Sequence, residues 1–249
     1  MKKLFPDMCD SPEKPQIILG LFYCVVSFFS LPFILTLLKF IEGNTTQQQY
    51  TYELIFHIIN FLAAVILFRG YLADSFLQVQ IAPRKVLGTA GLGLLMSAVW
   101  VLLAVAGYFL LRSYYSYVTV FYALPIMELD VFTFSRDLVQ NMPLWGILCS
   151  VLAAPVTISC LFYATSFAPT ANRKPLPAYP VVALVILFPR LCNAFTFHDL
   201  PVELLLYLAQ LPIHLIACWT YQKTDTVWAP IFTLSAANLL FSIAAVILF

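Results

Sequence analysis

Read for the spacing of polar and apolar positions, the chain alternates long apolar blocks with short polar breaks. The blocks run near 17–40, 54–68, 87–111, 143–168, 179–197, 201–219 and 227–249. Most approach or exceed the roughly 20 residues that a helix needs to cross a hydrocarbon core about 30 Å thick at 1.5 Å per residue. They are apolar on every face and show no two-residue alternation, so they predict helices and not the strands of a barrel. The expected architecture is an all-α polytopic membrane helix bundle of about seven transmembrane helices, forming a single integral membrane domain over 1–249. Its appendages are a basic leader at 1–16 and an aromatic extracytoplasmic or interfacial segment at 112–142.

Composition agrees with this reading. Of 249 residues, 62% are hydrophobic and 10% charged, against about a quarter charged in soluble domains, and the mean hydropathy is +0.90. A net charge of +1, with no run of Lys and Arg to track a phosphate backbone, excludes nucleic acid as a partner. The bilayer is the first partner, and another membrane protein or a membrane peptide the second.

Cations resist translocation, so their placement predicts orientation. Lys2, Lys3, Lys14, Arg69, Arg84, Lys85, Arg173, Lys174 and Lys223 fall on one side of a seven-span arrangement. Lys39, Arg112 and Arg136 fall opposite, and Arg190 lies inside a span. The N-terminus is therefore expected in the cytoplasm and the C-terminus outside. The leader lacks a small-residue cleavage site and is expected to stay attached. The six cysteines are not placed to build an extracellular disulfide framework, and free thiols are expected. The segment from Arg112 to Met142, rich in Tyr and Phe, reads as an interfacial belt, with a lid over a cavity as the alternative.

Two stretches carry a resemblance. Phe68-Arg69-Gly70-Tyr71-Leu72-Ala73-Asp74-Ser75-Phe76, read as a loop, leads through Ala82-Pro83-Arg84-Lys85-Val86-Leu87-Gly88 into the third span. Taken with Val227-Trp228-Ala229-Pro230-Ile231 and Asn238, it resembles the CAAX prenyl endopeptidase and bacteriocin-processing (CPBP, or Abi) family of intramembrane proteases. The resemblance covers most of the chain and implies a prokaryotic plasma membrane. That family carries Glu-Glu-x-x-x-Arg in its fourth helix, Phe-x-x-x-His in the next and His-x-x-x-Asn in a late helix. The motifs imply water activated by glutamate, held by imidazoles, with asparagine supporting the oxyanion.

Here the two glutamate positions fall on Ile158 and Ser159, the arginine position on Tyr163, the first histidine on Cys192 and the second on Leu234. Asn238 alone matches. No Asp or Glu occurs between Asp137 and Asp199, and no His follows His214, so no shift of register restores a base. Loss of a general base typically costs about 10²- to 10⁴-fold in rate. The expectation is a catalytically degenerate member without a catalytic residue or cofactor, binding or regulating a membrane partner or an apolar ligand.

Residual polar residues leave other readings open. Arg190 inside a span costs about 2.5 to 3.5 kcal/mol on insertion scales and should face the bundle interior or water. With Asn193, Cys192 and Asn238 it lines a possible ligand cavity, or it tethers by pairing with Asp199 or Glu203. Glu53, His57 and Asn60 share a helix face at the outer end of the second span, where side chains usually solvate. With His198 and Glu203 they give zinc candidates, and zinc enters only under an alternative in which the chain is an active endopeptidase with substitute residues. A small transporter with Arg190 as an anion site is the third class. For His214, between Gln210 and Cys218, packing or a helix-to-helix hydrogen bond is expected. Ser159, Cys160 and Cys192 read as packing residues and not as nucleophiles.

Overall fold

The computed structural model describes residues 11–42, 46–114, 143–172, 174–197 and 200–248. Among them every regular element is helical, and seven helices follow one another: α1 (Lys14–Glu42), α2 (Thr46–Ile81), α3 (Pro83–Tyr114), α4 (Pro143–Ala171), α5 (Pro175–Phe197), α6 (Leu200–Thr224) and α7 (Trp228–Leu248). Among the described residues three stretches are long and apolar enough to cross a membrane, Leu54–Ile81, Pro83–Leu103 and Pro143–Ala171.

Proline punctuates the chain at helix starts. Pro15, Pro83, Pro143, Pro175, Pro201 and Pro230 each stand within the first three positions of a helix, where a missing N–H costs nothing and φ is already set. The expected loop after Phe68 is not a loop. Helix α2 runs on to Ile81, and Ala82 is the single non-helical residue before Pro83 opens α3. Gly70 does not break the helix, because one glycine costs only about 1 kcal/mol in propensity; the stop comes where Pro83 restricts the residue before it.

Helix α4 is the axis of the fold: α1, α2, α5 and α7 pack against it, while α3, α6 and α7 pack together beside it. Within its apolar window 78% of residues are buried inside the protein, against 28% for α2 and α3, whose outer faces are left exposed. Glycines allow the closest approaches. A Cβ at Gly20 of α1 would come within 2.7 Å of the Phe68 ring and 2.8 Å of Thr165. A Cβ at Gly93 of α3 would come within 2.6 Å of Thr220 and 3.1 Å of Thr233. Each glycine thus marks a point where three helices meet, as small residues do in membrane bundles.

Polar contacts fix the mutual direction of the helices. At one end, Asn172 donates to Ser11 at 3.2 Å, Gln16 to the Leu67 carbonyl at 3.4 Å and Tyr179 to Gln222 at 2.7 Å. The start of α7 joins the same end. There Thr226 donates to the Ser75 carbonyl at 2.9 Å, the Val227 amide to Ser75 Oγ at 3.0 Å and the Trp228 indole to the Leu72 carbonyl at 2.9 Å. The starts of α1, α5 and α7 therefore lie beside the ends of α2, α4 and α6, an up-and-down arrangement. The two stretches that carried the resemblance, 68–76 and 227–231, are in direct contact here, with Phe76 and Trp228 edge to face at 5.2 Å.

Candidate functional site

Helix α4 is not a regular α-helix. Two π-helical stretches, Cys149–Ala153 and Ser159–Phe167, interrupt it. Each closes with an amide that reaches back five residues, Ala154 N–H to the Cys149 carbonyl and Ala168 N–H to the Tyr163 carbonyl. The next residue in each case is a proline, Pro155 or Pro169. In α-register the proline ring would collide with the carbonyl four residues back; the wider π turn relieves that collision and keeps the helix continuous. Apolar length alone did not signal this; the signal that could have is a proline inside an apolar run of helical length, at Pro155 and Pro169.

The proline also has no N–H to give to the carbonyl five residues back. Five residues before Pro155 stands Ser150, and its carbonyl is met by Asn238 Nδ2 of α7 at 2.9 Å. Asn238, the one match to the resembled motif, thus donates to the backbone of the first π stretch. One turn earlier on α7, Leu234 joins Ile158 and Tyr163 in a single buried apolar cluster. The resembled positions Ile158, Tyr163 and Leu234 are thus buried core residues.

Ser159 is fully buried, and its hydroxyl makes no hydrogen bond among the described residues. An attacking serine needs a base within hydrogen-bond reach, and Ser159 has none there. Tyr163, also fully buried, shares a hydrogen bond of 2.6 Å with Nδ1 of His214 on α6. The helix-to-helix bond expected of His214 is present, and the pair explains how two polar groups are accommodated at the centre of an apolar bundle. Gln210 and Cys218, one turn either side of His214, are buried on the same face.

The outer cluster departs from expectation. Because α2 begins at Thr46, His57 lies well inside the helix and is 2% exposed, so it does not solvate at a helix end. Its neighbours on that face, Leu54 and Phe61, pack against Cys149 and Ala153 of the first π stretch, so His57 faces α4. Asn60 turns toward α1, accepting hydrogen bonds from Tyr23 at 3.1 Å and from Ser27. Among the described residues no three His, Cys, Asp or Glu side chains gather where a metal could be held. The side chains of Glu53, Arg190, Cys192, Asn193 and Glu203, together with His198, Asp199 and the segment 115–142, lie outside the described residues.

Four cysteines, Cys24, Cys149, Cys160 and Cys218, are free and buried, and Cys24 donates to the Leu161 carbonyl at 3.4 Å. Leu161 also receives Thr165 Oγ1, while Ser166 and Thr170 donate to the carbonyls four residues before them. Hydroxyls thus supply hydrogen bonds along a helix whose backbone ladder is stretched. Comparison with known protein families, with curated proteins and with solved structures finds no match.

Proposed function

We propose that this protein is a polytopic membrane protein on a scaffold like that of the CPBP intramembrane proteases, catalytically inert, that binds or regulates another membrane segment or an apolar ligand. About seven spans, a cytoplasmic N-terminus and a prokaryotic plasma membrane belong to the same reading. The observation that carries it is the state of α4. Where water activation would demand a carboxylate stand Ile158, which cannot accept a proton, and Ser159, whose buried hydroxyl meets no base among the described residues. Asn238, which would hold an oxyanion, is bound to the Ser150 carbonyl. Support for the orientation comes from the end of the bundle where α1, α5 and α7 start, which gathers Lys14, Arg69, Arg84, Lys85, Lys174 and Lys223.

The test is direct. The full chain, purified and returned to lipid, is incubated with prenylated and membrane-spanning peptide substrates, and the products are read by mass spectrometry. No cleavage above a protein-free control is expected. Cleavage abolished by Ser159→Ala or Asn238→Ala would overturn the reading.

A further inference from the structure

We infer that the α2–α3 hairpin is a docking surface for the headgroups of anionic phospholipids. Its length is the first argument. Helix α2 has 36 residues, about 54 Å at 1.5 Å per residue, while the hydrocarbon core is about 30 Å thick and the bilayer with headgroups about 40 to 45 Å. A helix of that length reaches the headgroup zone and beyond.

The surface chemistry at the hairpin end is the second. Past Ser75 the inner face rests on the start of α7, where Val79 and Val86 bury against Ala229 beside Trp228. The outer face carries large apolar side chains that no element among the described residues covers, Leu77 at 53% exposure, Ile81 at 77% and Leu87 at 57%. Leu77 and Ile81 are one turn apart and share a face. Arg84 and Lys85 are exposed between Ile81 and Leu87, and they occupy the first turn of α3, whose dipole adds to their positive field. Over residues 69–87 the cations Arg69, Arg84 and Lys85 face a single carboxylate, Asp74.

Apolar side chains that enter the acyl boundary, interleaved with cations at phosphate level, are the pattern of an interfacial surface selective for anionic lipid. A soluble partner would leave the apolar positions without a purpose, and a zwitterionic headgroup offers the exposed cations no net charge to pair with. The inference rests on the membrane reading above but not on the inertness of α4, and its readout is lipid chemistry, so the two fail separately.

Trp228, edge to face with Phe76, is the natural reporter. In a full-length variant carrying Trp100→Phe, Trp145→Phe and Trp219→Phe, the remaining indole is followed in nanodiscs. These hold brominated phosphatidylglycerol with plain phosphatidylcholine, or the converse. Stronger quenching by the anionic lipid is expected, with a preference of about fivefold for each cation that reaches a headgroup and a decline as salt is raised. Arg84→Gln with Lys85→Gln should remove the preference, and Arg84→Lys with Lys85→Arg should keep it. Equal quenching by both lipids, or a preference that survives the double glutamine change, would overturn the inference. So would competition by free glycerol phosphate, which would assign the surface to a soluble phosphate ligand.

Discussion

Asn238 donates to the carbonyl of Ser150 at 2.9 Å, and Ser150 stands five residues before Pro155, the residue that cannot return a backbone amide to it in π-register. Helix α7 thereby repairs a gap that the sequence of α4 opens. Removing the amide by Asn238→Leu takes this donor from a carbonyl on a buried residue, at a cost of about 1 kcal/mol. In a Pro155→Ala background residue 155 regains its amide, and the cost of Asn238→Leu should shrink. Reversible unfolding in mixed micelles, run as a double-mutant cycle, measures this. Strict additivity of the two changes would separate Asn238 from the proline gap.

The Tyr163 to His214 bond ties α4 to α6 at a point where both side chains are buried. Tyr163→Phe keeps the ring and deletes the hydroxyl, so its effect isolates the bond from the packing. A loss of about 1 kcal/mol is expected, within the range found for polar contacts between membrane helices. Combined with His214→Leu, the two effects should be non-additive by a comparable amount. If the cycle shows no coupling in the same micelle assay, the bond contributes nothing to stability.

The class of the fold was legible because its cause is local: apolar blocks of helical length, with proline near helix starts, are written residue by residue. The long α2 was not, because Arg69, Gly70 and Asp74 read as loop on polarity, whereas a helix carries them outward and ends only at Ala82. The π stretches of α4 depend on where the Pro155 and Pro169 rings meet a backbone already packed on several sides, a tertiary fact. The burial of His57 was missed for the same reason, since it follows from where α2 begins. That Tyr163 would find His214 could be half anticipated: a buried imidazole needs a partner, but which helix supplies it depends on packing and not on spacing.

Close approach of α3 to α6 and α7 depends on the absence of a side chain at Gly93. A Cβ there meets the Thr220 methyl at 2.6 Å, so Gly93→Ala forces a shift and should cost about 1 to 3 kcal/mol, the usual penalty of overpacking. Thr220→Ser removes the offending methyl and keeps the hydroxyl that donates to the Ala217 carbonyl at 2.7 Å. The double variant should therefore recover most of the stability lost by Gly93→Ala. A thermal melt in detergent showing no rescue would mean that α3 is held off α6 by something other than this contact.

Buried thiols offer a readout of the whole bundle. Cys24, Cys149, Cys160 and Cys218 are each enclosed, and a thiol shut away from water is out of reach of maleimide. On a Cys9→Ser, Cys192→Ser background the folded protein should therefore take up no label, and all four should label after denaturation. Returning one thiol as Lys174→Cys, an exposed site at the cation-rich end, then reports sidedness. An impermeant maleimide should reach it in inside-out vesicles and not in intact cells, because Lys and Arg resist translocation. Labelling from outside intact cells would reverse the orientation, while labelling of the four native thiols before denaturation would contradict the packing of α1, α4 and α6.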